Sequence, residues 1–332
     1  MMIHITSASN ERYAPGLIVA ISSSLYYLDK NIEVTVHILN SGLSKKSIQK
    51  LEDVCNKTHP KCTLIIIDFN DCVFAGATLG PGNSYLTYAR LLIASLVNSD
   101  KVIYLDCDVL VIRDLLEIWQ MDMEGKTILA APNYPPTKLG DDCPFQISES
   151  ENKLLYINCG VLLINLSDVR KSNSERKLID LALKYKCNYW DQTVINYFYR
   201  HNIKLLAECW NWQDENIVLN KNIISGILHY SMKRKPWLYF NSTLKDRLWH
   251  FHHNKLIGNY FLFAVQNYNW LDTIKELKKY IIRRYSIFRK LYLSYLSVKD
   301  GNLHNRHAEY YKNSDITLME SNLFKSYKLQ CK

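Results

Sequence analysis

The sequence predicts an α/β domain on a mostly parallel central sheet, with a basic helical extension behind it. Three observations carry this. Short, β-branched apolar runs alternate with segments of helical period through the first 135 residues. The strand runs are almost continuously apolar, as a sheet covered on both faces requires. The 332 residues are 48% hydrophobic and include only 11 Gly and 8 Pro. That composition builds a large core and excludes collagen-like, low-complexity and wholly disordered chains.

Taken in order, the expected strands are Ile3–Ser7, Ile32–Leu39, Thr63–Phe69, Val102–Leu105 and Thr127–Ala131, and the helices between them are Tyr13–Leu28, Ser44–Lys57 and Thr87–Val97. Ser44 fits an N-cap. Asn158–Leu166 reads as a further strand, Asp168–Tyr185 and Asp191–Arg200 as helices, and Lys204–Trp212 and Ile223–Ser231 as strands. Ligands of such sheets bind beyond the carboxyl ends of the strands, so functional residues are expected after Ser7, Phe69, Leu105 and Ala131. Composition shifts near residue 240, which divides the chain into 1–240 and 241–332. From Trp270, apolar residues recur at steps of three and four through Tyr295, so a basic amphipathic helix is expected over about 270–296.

Charge follows this division. The net charge is +9, but residues 271–332 hold 13 Lys and Arg against 6 Asp and Glu, leaving a surplus of two for everything before them. The basic tail therefore speaks to docking, with peripheral attachment to an anionic membrane as the expectation and a helix packed on the main domain as the alternative. No nucleic-acid partner is expected. Nine Cys, an odd number with no C-x-x-C pair, fit free thiols in a reducing compartment. No signal peptide precedes the first strand and no run reaches the ~18–20 apolar residues of a membrane helix, so a cytoplasmic protein is expected, with the inner membrane face as its docking surface.

The chemistry concentrates in Lys101–Arg113, K-V-I-Y-L-D-C-D-V-L-V-I-R, where an apolar strand delivers Asp106 and Asp108 at its end. Spacing of two on an extended chain puts both carboxylates on one side. Two like charges at the end of a buried strand are costly unless a cation lies between them. Oxygen ligands of this kind suit Mn²⁺ or Mg²⁺, which complete their shells with diphosphate oxygens and water. The bland alternative is a turn with two solvated Asp.

Five segments in order carry a specific resemblance: Ile3-His4-Ile5 through Tyr13-Ala14-Pro15, Thr87-Tyr88-Ala89-Arg90, Tyr104-Leu105-Asp106-Cys107-Asp108, Asn158 through Asn165, and His229-Tyr230 with Lys235-Pro236-Trp237. Over roughly residues 3 to 240 the chain resembles glycosyltransferase family 8, which includes bacterial lipooligosaccharide galactosyl- and glucosyltransferases and glycogenin. The resemblance implies a GT-A fold, a UDP-sugar donor, Mn²⁺ and retention of anomeric configuration. It implies a hexose, Gal or Glc, passed to a glycan or glycolipid hydroxyl such as a lipopolysaccharide core.

Carried over by position, the resemblance makes Asp106, Asp108 and His229 the metal ligands and Lys235 the diphosphate contact. It puts Ala8, Ser9, Asn10 and Tyr13 at the nucleotide, Cys107 between the two ligand carboxylates, and Arg90 on the donor. Asn133, Asn158 and Gly160 would approach the sugar, and Asp191 and Gln192 would flank the reacting carbon. A neutral amide is a poor nucleophile, so Gln192 favours same-face transfer, with Asp191 orienting hydroxyls. The bland readings are an N-cap for Asp191 and a structural ion pair for Arg90.

Two departures stand out. Ser9-Asn10-Glu11-Arg12-Tyr13 replaces the family's T-D-D-N-Y, and Met232 stands where the family has a Gly beside the diphosphate. The competing functions are a nucleotide- or glycan-binding relative without turnover and a nucleotidyltransferase. The latter usually needs a Gly-rich loop after the first strand, and Ser7–Tyr13 has no Gly.

Overall fold

The computed structural model describes residues 1–213, 225–231, 235–238 and 244–258, together with the isolated positions 271 and 274. The expected helix over 270–296, apart from positions 271 and 274, and Met232 lie outside the described residues. Contacts divide the chain into a first unit of 1–214 with 225–231 and a second of 215–224 with 232–332.

Nine described strands are β1 (Met2–Ser9), β2 (Glu33–Asn40), β3 (Cys62–Asp68), β4 (Lys101–Leu105), β5 (Val109–Val111), β6 (Ile128–Pro132), β7 (Ile157–Asn165), β8 (Ile203–Leu205) and β9 (Ile227–His229). Seven form one sheet in the order β3-β2-β1-β4-β7-β6-β8, and β5 pairs with β9 in a small antiparallel ribbon. The sheet is mostly parallel, as expected, except that β7 runs antiparallel to both β4 and β6. The strands β1, β2, β4, β6 and β7 are buried almost throughout, whereas the edge strand β3 alternates between half-buried and exposed positions. Burial on both faces explains why the inner strands read as continuous apolar runs.

The reversal of β7 positions the site. Leu105, the last residue of β4, pairs with Val161, and Pro132, the last of β6, pairs with Ile157. The amino end of β7, carrying Asn158, Cys159 and Gly160, therefore lies at the edge where the parallel strands end. The ribbon extends that edge, since Val109 pairs with His229.

The helix Lys45–Thr58 begins at Ser44, whose hydroxyl accepts from the Ser47 amide as its N-cap. Three expectations are corrected. The Thr87–Val97 segment is a 3₁₀ helix, Leu86–Leu92, followed by one α-turn, Ile93–Leu96, and its Thr87 and Arg90 side chains are tied to distant partners in the site. Asp168–Tyr185 is two helices, Leu166–Lys171 and Ser174–Lys184, broken where Asn173 takes φ 50°. Asn tolerates that left-handed geometry, and the Ser172 hydroxyl closes the first helix by bonding back to the Asp168 carbonyl at 2.6 Å. Lys204–Trp212 is a strand only in Ile203–Leu205, and a 3₁₀ turn, Glu208–Trp210, follows it. Within the expected strand Ile223–Ser231, the described part is strand over Ile227–His229.

In the second unit the helix Leu244–Leu256 packs on the turn before it. The rings of Trp237 and Trp249 lie 5.9 Å apart, and His250 Nε2 lies 3.0 Å from the Pro236 carbonyl. Burial pushes the His250 imidazole down to about 4. Lys235 belongs to this unit and is buried. Among the described residues, no helix is long and apolar enough to cross a membrane, and the eight cysteines are free thiols.

Candidate active site

Strand β4 ends at Leu105, and the next amide, Asp106 N, donates to the Gly160 carbonyl at 2.8 Å. This bond carries the β4–β7 ladder one step further and fixes the Asp106 backbone. Two residues on, the Asp108 carbonyl accepts from Tyr230 N at 2.8 Å, which locks the ribbon holding His229 beside the carboxylates. Asp106, Asp108 and His229 each offer one ligand atom within 4.8 Å of the others. His229 Nε2 lies 3.2 Å from Asp108 Oδ1 and 3.7 Å from Asp106 Oδ2. Two hard oxygens and one imidazole nitrogen fit a divalent cation of the Mn²⁺ type.

The two oxygens of Asp106 face different partners. Oδ1 accepts from Tyr104 Oη at 2.9 Å and from Arg90 Nη2 at 3.0 Å, leaving Oδ2 on the cluster side. The glycine in β7 permits this closeness. A β-carbon on residue 160 would stand 2.2 Å from His229 Cε1, 2.7 Å from its Nδ1 and 2.9 Å from Asp106 Oδ2.

Arg90 is the node that joins the cluster to the next group. Its side chain is 8% exposed, yet Nη2 reaches Asp106, Nε lies 2.7 Å from Asp191 Oδ2, and Nη1 donates to the Cys159 carbonyl. The guanidinium also lies over the Tyr104 ring, 4.6 Å from its centroid. Burial works against its charge, but Asp106 and Asp191 outweigh that and hold its pKa well above the ordinary value. Burial pushes the Asp191 carboxyl up to about 6, against the pull of Arg90 and of the Thr87 hydroxyl bonded to Oδ1.

The helix carrying this acid is Trp190–Phe198, so Asp191 lies inside its first turn rather than at the cap. Gln192 points its Oε1 at the Cys159 amide, 3.0 Å away. On the far side, Asn158 Nδ2 contacts Asn133 Oδ1 at 3.4 Å, and the Asn133 amide donates to the Tyr156 carbonyl at 2.8 Å. Arg90, Asp106, Asp108, Asn133, Asn158, Gly160, Asp191, Gln192 and His229 thus converge on one edge of the sheet, with Cys107 between the two clustered carboxylates in sequence.

Ala8 and Ser9 are buried at the end of β1, which lies beside β4. Asn10 follows, and its Oδ1 is buried with no hydrogen-bond partner among the described residues. Tyr13 closes the short turn by donating its amide to the Asn10 carbonyl. Glu11 points elsewhere: its carboxylate accepts from the Ser44 amide at 2.7 Å and the Ser47 hydroxyl at 2.9 Å, over the start of helix Lys45–Thr58.

Sequence reasoning singled out neither Thr87 nor Tyr104 as a site residue and missed Asn211 altogether. The first two stood inside quoted motifs. Asn211 carried a faint signal, an amide set between Trp210 and Trp212, and it is 2% exposed with Oδ1 2.9 Å from His229 Nδ1.

The profile of the family described as "Glycosyl transferase family 8" matches residues 4–241. Among curated relatives, the chain is similar to the glycosyltransferase GlyF of Streptococcus pneumoniae, at 24% identity over 84% of this chain and 68% of that protein. It is similar to GlyA of the same organism at 26% identity over 75% of this chain, but spans only 34% of that protein's length. A probable galacturonosyltransferase-like protein of Arabidopsis thaliana is 24% identical, with 75% of this chain and 71% of that one covered. Among solved structures, the galactosyltransferase LgtC in complex with donor and acceptor sugar analogs superposes with a TM-score of 0.61 at 22% identity, covering 77% of this chain and 95% of that one. That likeness establishes the GT-A fold. With its profile match spanning well over half of the sequence, the chain belongs to glycosyl transferase family 8.

Proposed function

We propose that the protein is a retaining hexosyltransferase that moves Gal or Glc from a UDP-sugar to a hydroxyl of a glycan. The observation that carries this reading is the Asp106–Asp108–His229 cluster, tied through Arg90 to Asp191. A divalent cation held by those three ligands, Mn²⁺ by preference and Mg²⁺ as a substitute, would neutralise charge on the donor diphosphate. The orphaned Oδ1 of Asn10 suits an N–H donor such as that of uracil, and Tyr13 offers a ring to stack on the base. Asn133, Asn158 and Gly160 would receive the sugar, and Lys235 would contact the diphosphate.

The side chains also favour one course for the transfer. Both oxygens of Asp191 are engaged, one by Thr87 and one by Arg90, and the Gln192 carbonyl is engaged by a backbone amide. Neither group is presented as a nucleophile, which supports same-face displacement. In that course the bond from the anomeric carbon to the phosphate oxygen breaks, the acceptor oxygen bonds to the same face, and the acceptor proton passes to the departing diphosphate. Arg90 and Asp191 would hold the donor in place.

The acceptor is proposed to be a lipopolysaccharide-type or other cell-surface glycan, built at the cytoplasmic face of a membrane with the basic segment 270–296 as the dock. Release of UDP from a panel of UDP-sugars tests the enzyme, with Mn²⁺ and then with EDTA, alongside the Asp106→Ala/Asp108→Ala variant. The panel includes UDP-galacturonic acid because one relative bears that name. Metal-dependent release with one sugar, lost in the variant, is expected. Release that EDTA and the double variant both leave intact would sink the reading. Transfer to soluble glycans but never to lipid-linked ones would remove the acceptor part alone.

A further inference from the structure

Behind the Asp106–Asp108–His229 cluster runs a chain of hydrogen bonds whose directions are all set from one end. The Gly160 amide can only donate, and it bonds Asn158 Oδ1 at 2.9 Å. That fixes which end of the Asn158 amide is oxygen. Asn211 approaches the same oxygen at 2.9 Å and must present its NH₂ group there. Its own oxygen is therefore turned to the other side, where it lies 2.9 Å from His229 Nδ1. An amide oxygen only accepts, so Nδ1 carries a proton, and in the neutral imidazole the lone pair belongs to Nε2. Nε2 is the nitrogen that faces Asp108 Oδ1 and Asp106 Oδ2. Asn211 and His229 are 2% and 3% exposed, so bulk water does not compete for these bonds.

We infer that Asn211 is a positioning residue that holds the His229 ring and its Nδ1–H tautomer, so that Nε2 is presented to a divalent cation. The inference rests on the metal reading proposed above. It adds a residue outside the motifs and links the imidazole to the backbone of Gly160, so the strand facing the donor and the metal ligand share one hydrogen-bonded chain. Outer partners of a ligating histidine typically govern metal affinity by about 10–100-fold.

The test measures Mn²⁺ binding alone, by electron paramagnetic resonance titration of the full chain without nucleotide sugar. Asn211→Leu keeps the branched shape with somewhat more bulk and removes both polar groups, and Asn211→Asp keeps an acceptor for Nδ1–H while giving up the NH₂ bonded to Asn158. Thermal melts verify folding, and Asn211→Ala replaces the Leu variant if that one does not fold. The expected result is a loss of about 10–100-fold in the Leu or Ala variant, with affinity in Asn211→Asp within a few-fold of the wild type. Unchanged affinity in every variant, or an equal loss in the Asp and apolar variants, overturns the assignment. Failure of the wild type itself to bind Mn²⁺ would overturn the metal reading and this inference with it, a result distinguishable from the other two.

Discussion

Gly160 and His229 pack so closely that a side chain of any size on residue 160 would occupy the space of the imidazole, since its β-carbon would stand 2.2 Å from Cε1. The same β-carbon would meet Asp106 Oδ2 at 2.9 Å. Gly160→Ala is therefore expected to push two proposed ligands apart, because a buried ring and the end of a sheet strand have little room to yield. We predict Mn²⁺ affinity at least about tenfold weaker, with overpacking costing roughly 1–3 kcal/mol of stability. Calorimetric Mn²⁺ titration and urea denaturation check the two parts separately.

Asp191 supplies a pH dependence. Its carboxyl is raised to about 6 by burial, against Arg90 and Thr87, so it gains a proton as pH falls through that value. The ionised form is the one that pairs with Arg90, so kcat/KM should decline on the acid side with a midpoint near pH 6. Thr87→Val removes a hydrogen bond to the charged form and should move that midpoint upward. A pH profile whose acid limb is the same in both proteins would contradict this.

The Glu11 carboxylate sits over the first turn of helix Lys45–Thr58 and accepts from Ser44 and Ser47. An acid at a helix amino end is favoured by the exposed amides and by the helix dipole. Glu11→Ala should cost about 1 kcal/mol, comparable to losing a cap. A urea midpoint unchanged from the wild type would show the contact to be worth nothing.

His37 is 4% exposed and stacks on His4, with Nε2 and Nδ1 of the two rings 3.1 Å apart. Burial, with His4 beside it, pushes His37 down to about 4. The unfolded chain binds a proton near pH 6.5, whereas the native chain does so only near 4. Stability from this group is therefore full above about pH 6.5 and is lost as pH falls towards 4. Between pH 7 and pH 5 the loss should be about 2 kcal/mol. His37→Gln should narrow the difference between urea curves at those two values. A gap as wide as the wild type's would exclude His37 as its source.

Much of the sheet was legible because its inner strands are buried on both faces, and continuous apolar runs leave few other readings. The direction of β7 was not, since Asn158–Leu166 has the same composition in either orientation. The 3₁₀ form of Leu86–Leu92 was also hidden, because the ties of Thr87 to Asp191 and of Arg90 to Asp106 join distant parts of the chain. In the site, the paired carboxylates were visible as charges ending an apolar strand, and the remaining positions came from motif resemblance. Asn211 escaped both routes. A buried amide is recognised by its partners, and those lie 18 and 53 positions away in sequence.

The pairing of Val109 with His229 joins segments about 120 residues apart, so the third proposed ligand arrives well after the other two in synthesis. A nascent chain that has emerged only as far as β8 already holds Asp106, Asp108 and Arg90 but lacks His229, the imidazole that the ribbon sets beside them. The three-residue cluster therefore assembles only after β9 has docked on β5. If the cluster binds a cation as proposed, tight capture would mark the docking of β9 rather than of the helix Leu244–Leu256 that follows it, and chains truncated before Ile227 would lack it.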